Sequence, residues 1–175
     1  MNARVQVERE AGLSGAGQSE TGVAQAVPGL GEIGLENFAP YLMNRIMGRY
    51  NASLRAELAA GGLSTTKMRA LAVLSVIDGL QARDLAVYAV TEQSTLSRAL
   101  DALAAEGLVR RDADPDDSRA SRVCITPAGR AAFERLWPQM ARAYARMFHG
   151  IGAAERRAFT GTLQTILSNI RKHDF

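Results

Sequence analysis

Between Leu80 and Gly129 the apolar pattern changes period twice, from helical to extended and back to helical, and this succession restricts the fold more than any other feature of the chain. Leu80 to Tyr88 reads as a short helix that buries Leu85 and Ala86, and a turn at Ala89-Val90 follows. Thr91 is expected to cap a second helix, in which Leu96, Leu100 and Leu103 fall on one inward face. Gly107 ends that helix, and Leu108-Val109 opens an extended segment. Beyond the polar loop 112–119 lies Arg122-Val123-Cys124-Ile125-Thr126, where Val123 and Ile125 alternate with polar neighbours. Thr126-Pro127 starts the next helix, with threonine as cap and proline at the first helical position. Two short helices followed at once by a long-tipped β-hairpin make a helix-turn-helix with a wing.

The second of these helices carries the chemistry. With its leucines inward, a rotation of about 100° per residue turns Ser94, Ser97, Arg98 and Asp101 outward. Small hydroxyls let a helix seat in the major groove, and an arginine can bind guanine in bidentate fashion. Double-stranded DNA is the partner this face suits, with Thr91, Gln93, Ser94, Thr95, Ser97 and Arg98 as candidate contacts. On the hairpin, Arg110, Arg111 and Arg122 are candidate phosphate contacts. Arg119 at the tip suits an adjacent minor groove, with Asp117 orienting it through a charge-assisted bond. The bland alternative for all of them is a solvated helix face and an ordinary polar loop.

The flanks are helical. Residues 1–31 are glycine-rich and polar without apolar periodicity, and are expected to form a disordered tail. From Leu35, the residues Phe38, Leu42, Ile46, Tyr50, Leu54 and Leu58 mark one helix, ended by Gly61-Gly62. Ser64 or Thr65 caps another, carrying Met68, Leu71, Ala72 and Ser75 and stopping at Asp78-Gly79. After Pro127 a helix presents Phe133, Trp137, Met140, Tyr144 and Phe148, with a bend expected at Pro138. A last helix after Gly150-Ile151-Gly152 carries Phe159, Leu163, Ile166 and Ile170. Narrow apolar seams at both chain ends call for a partner, most simply a second copy. The chain is thus expected to be mainly α, with dimerisation helices at 32–62 and 127–175 around a winged helix-turn-helix DNA-binding domain at 63–126. The candidate interface residues are Leu35, Phe38, Phe148, Ile151, Phe159, Leu163, Ile166 and Ile170.

Composition agrees with a helical protein, since 47% of the residues are apolar and only 6% aromatic. No apolar run approaches the roughly 18 residues of a membrane span, so no membrane partner is expected and the cytoplasm is the expected location. The net charge of +3 is less informative than it looks, because the segment Leu80 to Thr126 has six arginines against eight acids. The basic excess sits instead beyond Pro127, where eight basic side chains face three acids. A single cysteine, Cys124, excludes an internal disulfide and reads as a small strand residue, with a redox switch as the alternative. His149 and His173 are the only histidines, and no phosphate loop, metal-ligand spacing or nucleophile elbow accompanies them. Neither catalysis nor a cofactor is expected.

The run from Leu80 to Gly129 resembles the MarR family of bacterial regulators. The resemblance is carried by Leu85-Ala86, by Thr95-Leu96-Ser97-Arg98 with Leu103, and by Gly107-Leu108-Val109-Arg110-Arg111. It continues in Asp117-Ser118-Arg119, Val123, Ile125-Thr126 and Gly129. It implies a homodimer that sets two recognition helices in successive major grooves of a pseudo-palindromic operator. It also implies repression relieved by a small molecule held where the dimer helices meet the DNA-binding lobe. For an aromatic acid or acyl coenzyme A thioester, the candidate residues are Tyr41, Arg45, Met68, Trp137, Met140 and Tyr144, which are otherwise core or interface residues. One departure stands out: many family members have a glycine in the helix-turn-helix turn, where this chain has Ala89-Val90-Thr91, which leaves the start of the recognition helix open. A winged fold that serves protein contacts without DNA remains the other reading.

Overall fold

The computed structural model describes residues 28–115 and 120–170. Most of the expected tail, and the wing tip with Asp117 and Arg119, lie outside them. A helical turn, α1 (Leu30–Ile33), and a 3-10 turn at Leu35–Asn37 lead into α2 (Ala39–Ser53) and α3 (Arg55–Ala60). The single helix expected from Leu35 to Leu58 is therefore broken twice. Pro40 lies in the first turn of α2, where it lacks an N–H and its ring would strike the carbonyl four residues back, so the helix begins afresh after the extended Phe38. The second break is at Leu54, whose N–H bonds the carbonyl three residues back, Asn51 O at 3.3 Å, while its side chain turns fully into the core.

Helix α4 (Thr65–Val76) is the centre of the fold. Ser64 caps it, its Oγ accepting from the Lys67 N–H at 3.2 Å. It buries Met68, Ala70, Leu71 and Leu74, and packs against the elements on either side of it in sequence. After it the chain does not enter a helix at Leu80, as the apolar pattern suggested. Asp78 Oδ1 instead accepts from the Gly79 N–H at 3.0 Å and the Ile125 N–H at 2.8 Å. That pins the turn so that Leu80–Gln81 forms a short strand, β1. Helices α5 (Ala82–Tyr88) and α6 (Gln93–Ala105) follow, then strands β2 (Val109–Ala113) and β3 (Ser121–Ile125). The antiparallel sheet has the order β1-β3-β2, with Leu80 opposite Val123 and Val109 opposite Ile125. Leu96, Leu100 and Leu103 of α6 are completely buried with Leu71, Leu74 and Leu85. Each such side chain contributes about 1.5–3 kcal/mol by leaving water, which fixes the roll of α6 about its axis.

Helix α7 (Pro127–Met147) starts where expected. Thr126 Oγ1 accepts from the Gly129 N–H at 3.0 Å and donates to Gly107 O at 2.7 Å, tying the start of α7 to the end of α6. The face α7 buries is not the expected one, however. Gly129, Leu136 and Ala143, seven residues apart, point inward, whereas Trp137 and Tyr144 are exposed and Phe133, Met140 and Phe148 are only partly covered. Gly129 decides this: a Cβ there would lie 2.0 Å from Leu108 O, so only glycine lets α7 press on the chain leaving α6. The aromatic stripe is left as a ladder outside the core, Phe133 on Trp137 at 6.2 Å and Tyr144 on Phe148 at 4.8 Å between ring centroids. It continues to Phe159 of α8 (Ala153–Ile170), 6.1 Å from Phe148. Helix α8 buries no residue. Among the described residues no helix is long and apolar enough to cross a membrane.

Candidate nucleic-acid interface

The turn between α5 and α6 is well defined despite its missing glycine. After Tyr88 and Ala89 the chain enters the left-handed region at Val90, φ 50°. The Val90 N–H bonds Val87 O at 3.1 Å and the Thr91 N–H bonds Ala86 O at 3.0 Å. These are the two bonds of a Schellman helix end, with valine in the position glycine ordinarily holds. Thr91 is consequently not the cap of α6. Its Oγ1 donates back to Ala89 O at 3.0 Å, Glu92 is the last residue before the helix, and no side chain caps the helix start. Three residues before α6, the Val90 carbonyl accepts from Arg69 Nη1 of α4 at 3.1 Å.

Beyond that uncapped end, Gln93, Ser94, Thr95, Ser97 and Arg98 are all exposed. Arg98 lies back along its own helix, Nε donating to Ser94 O at 3.3 Å, and no ion pair to it is found among the described residues. The hairpin arginines differ. Arg111 Nη2 pairs with Asp101 of α6 at 2.7 Å, and Arg110 pairs with Asp112 two residues along β2 at 2.9 Å. That partnership raises the Arg110 pKa and lowers that of Asp112. Arg122 lies on Asp114, whose side chain is only 1% exposed, with 3.1 Å from its Nε to Oδ2. Gln81 Nε2 donates to the same carboxylate at 2.8 Å, so the root of the wing is bolted to β1. The hairpin arginines expected to meet phosphate are therefore engaged within the fold, and Asp114, taken from sequence as part of a polar loop, is a buried anchor. Its only sequence signal is its place before Pro115 at the edge of the loop. Cys124 is buried between the sheet and the Asp78 turn, and burial, with a bond to Asp112, raises its pKa above the ordinary value. That disfavours the thiolate on which a redox switch depends.

The candidate ligand residues do not converge on one place. Tyr41 and Arg45 meet, with Arg45 Nη1 donating to Tyr41 Oη at 3.1 Å, and Arg45 lines a groove of about 400 Å³ between α2 and α7. Its other walls are Ile46, Arg49, Tyr50 and Ser53 of α2 with Ala143, Arg146 and Met147 of α7. Arg49 and Arg146 escaped the sequence reading, although Arg45 and Arg49 stand one helical turn apart. Met68 is sealed in the core, Met140 packs on the core edge and Trp137 stands on the outer aromatic ladder. Tyr144 borders a different groove, with Arg156 and Arg157 between α7 and α8.

Comparison with known proteins agrees with this architecture. A family model described as the MarR family matches residues 61–120, from the end of α3 into the wing. The chain is 61% identical to a MarR-family transcriptional regulator of known structure from Silicibacter pomeroyi, with a TM-score of 0.81 over 85% of this chain and 100% of that one. It is 24% identical over 157 residues, 90% of this chain and 94% of the relative, to the HTH-type transcriptional repressor IacR of Pseudomonas putida. It is 27% identical, with a TM-score of 0.67 over 76% of this chain and 94% of the other, to CouR from Rhodococcus jostii, solved with p-coumaroyl-CoA bound. The fold that carries α6 and its wing, and a likeness of this extent to a whole regulator, lead to one assignment: the chain belongs to the MarR family of helix-turn-helix transcriptional regulators.

Proposed function

We propose that the protein is a homodimeric repressor without enzymatic activity, which reads a pseudo-palindromic operator and is released by a small anionic effector. The observation that carries this is the outward face of α6. An uncapped helix end, four small or amide side chains and Arg98 stand exposed on a helix whose roll is fixed by three fully buried leucines. Orphan N–H groups at such an end favour phosphate, and the side chains beside them suit base edges. Residues 63–126 form the DNA-binding unit in this reading, and Arg119 extends it into the minor groove.

Dimerisation is assigned to 32–62 and 127–175. Leu35, Leu42, Ile46, Phe159 and Ile170 on the outer helical segments, and Ile151 in the link before α8, are all exposed, apolar surface that a second copy would cover. Phe38, Phe148, Leu163 and Ile166 are half-buried, with Phe148 against Phe159. The groove between α2 and α7, with Arg45, Arg49 and Arg146 around Ile46, Tyr50 and Met147, suits a flat apolar body bearing a negative charge. CouR supports this reading, since its ligand is an aromatic acyl thioester.

Gel mobility shift on DNA from upstream of the protein's own gene tests the proposal. Specific binding that Arg98→Ala and Arg119→Ala each weaken, and that p-coumaroyl-CoA or salicylate reverses, is the expected result. Binding that is indifferent to sequence and to both substitutions would replace it with a winged fold used for protein contacts. Light scattering gives the assembly, a dimer for the native chain and a monomer for Phe159→Glu.

A further inference from the structure

We propose that Arg69 of α4 is a positioning residue for DNA reading, acting through the Val90 carbonyl and not through DNA itself. Two side chains of α4 reach α6 from opposite ends. Lys67 Nζ pairs with Glu106 at the far end of α6, while Arg69 Nη1 bonds Val90 O in the turn before it. Residues two apart on a helix point in widely different directions, which is what lets a single turn of α4 hold the far end of α6 and the turn that precedes it.

The bond at the near end falls on the most strained point of the described chain, since Val90 is the one non-glycine residue there with positive φ. A β-branched residue in the left-handed region is costly and persists only when its surroundings hold it. The Val90 side chain supplies little of that hold, being 77% exposed. Its peptide supplies more, through its own N–H to Val87 and its carbonyl to Arg69. Thr91, Glu92 and Gln93 follow directly, so the orientation of the Val90 peptide sets where the exposed end of α6 stands above its buried leucines. A displacement of this end by about 1 Å is enough to spoil hydrogen bonds to base edges, whose useful range is narrow. Contacts to the charged backbone tolerate such a shift far better.

This inference rests on the DNA-reading role of α6, and the test separates the two. The probes are a duplex selected from a random pool by the native protein and a shuffled duplex of the same composition, each titrated by fluorescence anisotropy over a salt series. Arg69→Ala is expected to bind the selected duplex roughly tenfold more weakly, the scale of one lost charged hydrogen bond. Its affinity for the shuffled duplex and its salt slope should stay as in the native protein, and Arg69→Lys should restore part of the loss. Amide hydrogen exchange at Thr91 and Leu96, whose N–H groups bond Ala86 O and Glu92 O, should quicken in Arg69→Ala without DNA and slow again in Arg69→Lys. An equal loss on both duplexes, with the salt slope reduced by about one, would make Arg69 a phosphate contact and overturn the proposal. So would unchanged exchange at those amides. A native protein that selects no duplex would instead defeat the DNA-reading role, while the exchange result would still report whether Arg69 holds the turn.

Discussion

Replacing Val90 by glycine should stabilise the protein, and the chain contains its own control. Helices α3, α5 and α6 end with the same pair of backbone bonds: Leu63 N–H to Leu58 O, Thr91 N–H to Ala86 O and Leu108 N–H to Leu103 O, each with a companion that spans three residues. The left-handed residue is Gly62 at φ 68° in the first, Val90 at φ 50° in the second and Gly107 at φ 70° in the third. An L-residue in this region costs about 1–2 kcal/mol, which Val90→Gly recovers. Against that stand the greater freedom of glycine in the unfolded chain, about 0.5–1 kcal/mol, and a small loss of contact from a side chain that is largely exposed. The net gain is of the order of 0.5–1 kcal/mol, or about 1–4 °C in Tm for a chain of this size. Gly107→Val is the reverse exchange. Nothing lies within 4 Å of a Cβ at Gly107, so its cost is backbone strain alone and Tm should fall. Thermal unfolding at fixed protein concentration measures both, since any self-association would make Tm depend on concentration. A lower Tm for Val90→Gly, together with an unchanged one for Gly107→Val, would refute the claim that strain at Val90 outweighs what its side chain contributes.

Other outcomes follow from the same contacts. Gly129→Ala should destabilise by about 3 kcal/mol or more in urea titration, because its Cβ would meet the Leu108 backbone at 2.0 Å and a peptide group cannot swing aside as a flexible side chain does. Thr126→Ala removes the cap of α7 and its bond to Gly107 O, and should cost about 1–2 kcal/mol in the same assay. The buried Cys124 thiol should react with a disulfide reagent at pH 8 far more slowly in the folded than in the urea-unfolded protein; equal rates would revive the redox reading. Because burial raises that pKa from 9.0, the unfolded chain releases the proton first, and the contribution of Cys124 to stability is lost as pH rises above about 9. Asp112 has the opposite sign: its lowered pKa gives stability above 3.8 that disappears as pH falls through the folded value, so Asp112→Asn should flatten the acid limb of the stability curve.

What the sequence made legible depends on how far apart in the chain the deciding groups are. The caps at Ser64 and Thr126 and the inward face of α6 are local, governed by residues within one or two helical turns, and periodicity suffices to find them. Strand β1 is only two residues long and exists because Asp78 bonds the Ile125 N–H 47 residues away, which no local pattern announces. Helix α7 has apolar residues on two faces, and the larger, aromatic face looked like the core; the inner face was chosen by the tolerance of Gly129 for the Leu108 backbone. The arginines of the wing show the same limit in the functional surface. Arg110, Arg111 and Arg122 are correct residue types for phosphate contact, yet strand register and the packing of α6 bring Asp112, Asp101 and Asp114 to them. Arg111 thereby ties the wing to α6, while Arg110 and Arg122 hold the hairpin itself together. The exposed start of α6 shows the same limit, because the turn before it is held by Arg69 of α4 on the Val90 carbonyl, 21 residues along the chain, which no local pattern announces.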